Sequence, residues 1–216
     1  MSAKLPNRSV ISMASTYASA INFTSASNAS ECIISHASDP GYVVGDILEI
    51  TSGWTLLNGK IARVKTVSTN DITLEGIDTT DTTLYPAGSG AGSARKITAF
   101  TQMSQITDSE MSGGDPKFIS YEYLEDPTER QIQTGKSAKQ LTLTFADDPS
   151  LALYALANAA DEDGEWRALQ VSLPGGGKIY YNGTVAFDDD PTLKKNEVMS
   201  VKFILSLVSK KTRYTS

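Results

Sequence analysis

Along the second half of the chain, apolar and polar residues alternate with a period of two, the signature of strands with one buried face. QLTLTF (140–145) sends Leu141, Leu143 and Phe145 one way and Thr142 and Thr144 the other. WRALQVSL (166–173) turns Leu169, Val171 and Leu173 inward, and KIYYNGTVAF (178–187) turns Ile179, Tyr181, Val185 and Phe187 inward. In NEVMSVKFILSLVSK (196–210), Met199, Val201, Phe203, Leu205 and Leu207 share a face. Its other face mixes Val198, Ile204 and Val208 with Ser200, Lys202 and Ser206, so it is expected to meet a second protein or another element. FISYEYL (118–124) aligns Ile119, Tyr121 and Tyr123. One segment breaks the pattern. ADDPSLALYALANAADEDG (146–164) reads as a helix with Asp148 as N-cap and Pro149 at the first helical position. Leu151, Tyr154, Ala155 and Asn158 would line one face, and Gly164 would end it.

The first half is less regular. Residues 1–12 are polar, carry Pro6 and read as a flexible arm. YASAINFTS (17–25) and SECIISH (30–36) each suggest a strand. YVVGDILEIT (42–51), GKIARVKTVS (59–68) and DITLEGIDT (71–79) are β-branched runs with turn chemistry at Gly45-Asp46, Asn58-Gly59 and Asn70-Asp71. In the middle run Ile61, Arg63, Lys65 and Val67 should face one way, and Ala62, Val64 and Thr66 the other. YPAGSGAGSARK (85–96) reads as a Gly/Ser-rich connector. This gives an arm (1–12), a β-sandwich built from 13–35 and 96–210, a β-rich insertion with its connector (36–95) and a C-terminal tail (211–216).

Composition narrows the function. The formal net charge of −6 argues against a surface that grips nucleic-acid phosphates. With one cysteine, Cys32, no intramolecular disulfide is possible. The opening residues lack the apolar core of a secretion signal, and no apolar run reaches membrane-spanning length, so a soluble chain folding in cytoplasm is expected.

Catalytic motifs fail one by one. LPGGGKIYYNG (173–183) is glycine-rich with a lysine, as a phosphate loop is. Ser172 stands where such a loop needs its first glycine, and Ile179 follows Lys178 where a Mg²⁺-binding hydroxyl belongs. Its flanks are two strands, with no helix whose N-terminus could hold the anion. It therefore reads as a hairpin turn. His36 is the single histidine, and Cys32, four residues before it, brings no further zinc ligands. DEDGEW (161–166) lacks the alternating ligands of a calcium loop, and Asp188, Asp189 and Asp190 before Pro191 read as a solvated turn. No enzyme activity, metal or cofactor is expected.

The order of parts in the C-terminal half is more informative than any single motif. A GKSA loop precedes a strand, a helix opens at DDPS, and W-R opens the next strand. A PGGG hairpin, a strand containing NGTV and a long final strand after KKNE follow. This succession, over about residues 96–210, resembles the tail tube proteins of long, non-contractile-tailed bacteriophages, the lambda-like group. Segment 36–95 departs from the pattern of the best-known member and looks like an insertion found in some relatives. The resemblance implies a mainly β fold, a β-sandwich or barrel-like tail tube subunit with one flanking helix. It implies a structural virion protein whose copies join sheet edges into hexameric rings. Stacked rings would form a hollow tube for the tape measure protein and then DNA, which passes without specific binding. Further implied partners are the tail terminator and tail tip proteins, with assembly in the host cytoplasm and no membrane.

Two sets of residues are candidates for assembly. The polar stretch 125–139 fits the long loop of that family, with Glu125, Asp126, Glu129, Arg130, Gln133, Lys136 and Lys139 as an inter-ring contact. The acidic clusters Asp161, Glu162, Asp163 and Asp188, Asp189, Asp190 could complement Lys210, Lys211 and Arg213 in head-to-tail stacking. A competing reading is a carbohydrate-binding or adhesin β-sandwich, for which Trp54 is the candidate platform; a third is the tube of a related bacterial secretion system.

Overall fold

Period-two alternation becomes strand over most of the chain in the computed structural model, which describes residues 7–215. The first half of the expected N-terminal arm, residues 1–6, lies outside the described residues. The strands begin with β1 (Val10–Tyr17), β2 (Ile21–Ala26), β3 (Ile33–His36), β4 (Ile47–Ser52), β5 (Ile61–Ser68) and β6 (Asp71–Leu74). A long β7 (Gly92–Met103) leads to β8 (Ile106–Ser112), β9 (Pro116–Tyr123), β10 (Asp126–Lys136) and β11 (Gln140–Ala146). Helix α1 (Ala152–Asp163) follows, then β12 (Trp166–Ser172), β13 (Lys178–Thr192), β14 (Ser200–Leu207) and β15 (Thr212–Tyr214). Thus residues 10–12 of the expected arm are strand, and part of the expected C-terminal tail pairs with β13.

Two bodies share one strand. The first is a closed ring of strands in the order β2-β3-β6-β5-β4-β7, with β7 returning to β2. Closure removes exposed edges. Its interior holds Phe23, Ile34, Leu48, Ile50, Trp54 and Ile72, all buried. The strands of 21–36 therefore pair within this small barrel, alongside those of the 36–95 segment. The second body is an antiparallel sheet in the order β7-β1-β12-β13-β14-β11-β8, which curls around α1. Met13, Leu143, Phe145, Leu169, Phe203 and Leu205 form its core with Leu153, Tyr154, Ala157 and Ala160 of the helix. The architecture is mainly β and sandwich- or barrel-like, with one helix among the described residues.

Several local expectations needed tertiary correction. A bulge between Val64 and Thr66 shifts the register of β5, so Val64 and Val67 both point into the barrel. The Gly/Ser-rich stretch is packed. Trp54 is buried, donates its indole N–H to the Pro86 carbonyl (2.7 Å) and leaves no room for a Cβ at Gly90. Gly92 opens β7, where a Cβ would lie 2.0 Å from the Thr51 carbonyl oxygen. Trp54 is thus no exposed sugar platform. The helix starts later than expected. Asp148 accepts hydrogen bonds from the Ser150 amide and hydroxyl in a turn, and Leu151 is an N-cap without a side-chain bond. Ala155 is exposed, while Leu153 and Ala157 are buried. Gly164 does end the helix, in the left-handed region (φ 63°).

The other face of β12 and β13 is buried beneath the barrel. Ala168 and Tyr180 pack there with Ile61, Ile97 and Tyr214. A polar seam runs beside them. Buried Asn182 donates its amide to Glu49 Oε1 (3.0 Å) and to the Gly59 carbonyl (2.9 Å), and Arg95 Nε donates to Glu49 Oε2 (2.7 Å). Asn182→Ala should leave the buried Glu49 short of a donor and cost about 1–3 kcal/mol; urea denaturation monitored by tryptophan fluorescence reads the loss.

His36 is buried in the barrel between Phe23 and Tyr42, with Nδ1 3.3 Å from the Asn70 carbonyl oxygen. Burial holds its imidazole below the usual histidine range, against the weaker opposite pull of that carbonyl and of Asp71. The unfolded chain therefore takes up this proton first. The stability His36 contributes is full above about pH 6.5 and falls as pH drops toward the depressed folded value. His36→Gln should flatten that part of the pH dependence of the urea midpoint between pH 7 and 5.

Candidate assembly surfaces

Stretch 125–139 is not a loop. Residues 126–136 are β10, paired antiparallel with β9 in a two-stranded hairpin separate from the large sheet. Only Ile132 is strongly apolar in β10, so the alternation that flags a half-buried strand is absent from it. Ile119 faces Ile132 across the pair and Tyr121 faces Arg130. This face also carries Tyr123, edge-on to Tyr121, with the Arg130 guanidinium 5.0 Å from the Tyr123 ring centre. Nothing among the described residues covers it: Ile119 is 56% and Ile132 52% exposed, and Leu124 at the turn is fully exposed. An isolated two-stranded hairpin is marginal in water, and apolar stripes of this kind mark contact surfaces.

The expected contact residues map onto this hairpin and its return. Glu125 sits in the turn. Asp126 pairs with Arg130 (3.0 Å), and its carboxyl is held below the usual range chiefly by the Thr128 hydroxyl, then by the Thr128 amide. Glu129, Gln133 and Lys136 are exposed on β10. Lys139 lies beyond the hairpin, where its carbonyl accepts from the Leu207 amide and its side chain covers Gly114.

A second surface is the part of the sheet that the barrel leaves open. Antiparallel register aligns Asp108, Thr144, Lys202 and Asp188 in one row across β8, β11, β14 and β13. The next row is Glu110, Thr142, Ile204 and Ala186. All of these are half-buried or exposed, and carboxylates outnumber the single ammonium. The sheet ends at β8, almost wholly exposed, whose far edge has no strand partner among the described residues.

The charge clusters occupy opposite ends of β13. Its start pairs with β15, where Tyr180 faces Thr212 and Ile179 faces Arg213. Asp188, Asp189 and Asp190 lie at its other end, in an irregular part of the strand and not in a turn. Eight residues of extended chain separate Tyr180 from Asp188, roughly 26 Å. Asp161 sits beside the acidic end, accepting from the Phe187 amide (3.4 Å), while Asp163 pairs with Arg167. Met199, expected inward, lies before β14 and is exposed. Lys210, Lys211 and Arg213 are exposed at the other end.

The chemical candidates resolve into structural parts. In PGGG, the Leu173 amide donates to the Gly177 carbonyl (2.8 Å) and the Gly176 amide to the Leu173 carbonyl (3.1 Å). Gly175 and Gly176 take φ of 108° and 93°, which favours glycine, and the turn joins β12 to β13. Cys32 is buried in the barrel. Among the described residues no group of three or more His, Cys, Asp or Glu could hold a metal ion, and no helix is long and apolar enough to cross a membrane.

A sequence profile of the family described as phage tail tube protein, TTP, matches residues 52–216. The chain belongs to the phage tail tube proteins. It is a structural component of a phage tail, and the resemblance drawn from motif order holds. No curated protein matches the chain. The family match begins at Ser52, inside the barrel, so it takes in much of the segment that departs from the best-known member.

Because no hairpin residue is among the described residues of either core, Ile119→Ser with Ile132→Ser should change the urea-unfolding free energy of the subunit by no more than about 0.5 kcal/mol. The same pair should weaken self-association markedly, as measured by sedimentation velocity.

Proposed function

We propose that six copies of this tail tube protein join sheet edge to sheet edge into a ring, and that rings stack into the hollow tube through which DNA leaves the virion. The observation that carries the reading is the β9–β10 hairpin, whose strands and apolar stripe find no cover among the described residues, in a chain of the tail tube family. Unpartnered strand edges pair with other chains, and a heterologous contact whose rotation closes makes rings. The open edge of β8 supplies the ring contact, and the hairpin, with Glu125, Asp126, Glu129, Arg130, Gln133 and Lys136, reaches the neighbouring ring. Stacking places the acidic end of β13 of one subunit toward Lys210, Lys211 and Arg213 of the next.

The bore is lined by the open face of β8, β11, β14 and β13. Its hydroxyls and its excess of carboxylate, from Asp108, Glu110 and Asp188 against Lys202, suit a wall past which DNA slides without adhering. The tape measure protein occupies the bore before DNA does, and terminator and tip proteins close the ends. Assembly takes place in the host cytoplasm, with no catalytic step.

Electron microscopy of the purified protein tests this. Rings or tubes are expected; a protein that stays monomeric at every concentration overturns it. Limited proteolysis adds a second reading. Trypsin should cut after Arg130 or Lys136 in the free subunit, and assembly should protect both sites. Equal cleavage in the two states would remove the hairpin from the interface.

A further inference from the structure

A cleft of ≈ 250 Å³ lies between the barrel and the C-terminal strand, lined by Lys60, Glu75, Lys211, Arg213 and their neighbours in the chain. Among the described residues that line it, the one carboxylate is already committed: Glu75 accepts from Arg63 through both oxygens, at 2.5 and 2.7 Å. Lys60, Lys211, Arg213 and the adjacent Lys210 make no ion pair among the described residues. Lys60 is half-buried, and both that burial and the nearby Lys210 hold its ammonium below the usual lysine range. Among the described residues none of these four cations has an ion-pair partner, in a chain whose formal net charge is −6: Lys60, Lys211 and Arg213 line the cleft and Lys210 acts on Lys60. Lys60, the one of the four that is drawn partly out of water, gains most from an anion entering the cleft.

The same molecule presents an anion in the complementary condition. Asp161, Glu162, Asp188, Asp189 and Asp190 make no ion pair among the described residues, and the nearby Lys194 is turned to Glu197 (3.4 Å). Lys195 and Lys202, the latter opposite Asp188, are the cations of that end without an ion pair among the described residues, and five carboxylates without one keep the end net acidic. The two charged ends are separated along β13, so a subunit cannot bring its own acidic end into its own cleft. A second copy in head-to-tail orientation can. We infer that the cleft bounded by Lys60, Lys211 and Arg213 is the receptor for the acidic end of β13 of the next subunit, with Lys60 as its innermost cation. This rests on the head-to-tail stacking read above and deepens it by naming the receptor. Sequence patterning missed Lys60, which is distant in the chain from residues 210–213 and meets them only because β15 returns to the barrel. The interface is expected to weaken with salt, since exposed charges are screened over about 8 Å at physiological ionic strength.

Charge reversal on the full chain tests the inference. One variant carries Lys60→Glu, Lys211→Glu and Arg213→Glu; the other carries Asp188→Lys, Asp189→Lys and Asp190→Lys. Each variant alone should show at least about tenfold weaker self-association by sedimentation velocity, because like charges meet. Mixed, they should co-assemble, since one now has two acidic ends and the other two basic ends. Circular dichroism checks folding, and the milder pair Lys211→Gln with Arg213→Gln, expected to give a smaller loss, serves if the triple variant fails to fold. Wild-type-like assembly of either folded variant, or no co-assembly of the mixture, overturns the inference. Duplex DNA binding that the cleft variant loses while its assembly is unchanged would reassign the cleft to a phosphate backbone, and also overturns it. Should the wild type form no rings or tubes, the stacking reading fails separately, and the mixed pair still decides: variant heterodimers uphold the cleft as receptor, and their absence rejects it.

Discussion

Strand β7 is the constraint on which the subunit depends. Its first residues pair with β2 and β4 and close the small barrel, and its later residues pair with β1 and open the curled sheet. Because one continuous strand serves both bodies, their relative placement is set by backbone hydrogen bonds as well as by side chains. The barrel is thereby held against one face of β12 and β13, where Ala168, Tyr180 and Asn182 have no access to water. The polar seam of Asn182, Glu49 and Arg95 suits that arrangement: a buried carboxylate is tolerated only where donors meet it.

Covering half of a sheet face leaves the other half open, and this division bears on assembly. The core around α1 and the barrel interior are complete within one chain. The surfaces left over are the polar face of β8, β11, β14 and β13, the free edge of β8, the apolar stripe of the hairpin and the two charged ends. These are the surfaces that the proposed assembly assigns to copies of the chain. The stretch that most resembled a phosphate site does none of this; its glycines serve the backbone conformation of a hairpin turn.

Much of this was legible along the chain. Strands with one face on the core announced themselves by strict alternation, as in Leu141, Leu143 and Phe145, and motif order pointed to the family. Features missed share one property: each depends on a partner distant in sequence. The hairpin's second strand buries nothing, so no alternation marked it. Gly90, within 85–96, looked like part of a linker because the indole of Trp54, which leaves it no room for a Cβ, lies more than thirty positions earlier. Val67 turns inward only because a bulge opposite β6 adds one residue to its strand. Asp148 has the chemistry of a helix cap, but its bonds to Ser150 are satisfied in a turn before the helix begins.

By itself, the amino-acid sequence determined the β-rich class, the single helix and its glycine stop, the hairpin nature of PGGG and the membership of the tail tube family. These follow from local periodicity, local turn chemistry and the order of segments, which need no knowledge of what lies across the fold. Tertiary structure alone decided that strands from residue 21 onward close a barrel, that the barrel shields Trp54, and that Lys60 joins the basic residues of the C-terminal strand. Each of these is a contact between segments far apart in the chain, and which distant surfaces meet is settled by packing and strand pairing, not by the pattern within either segment.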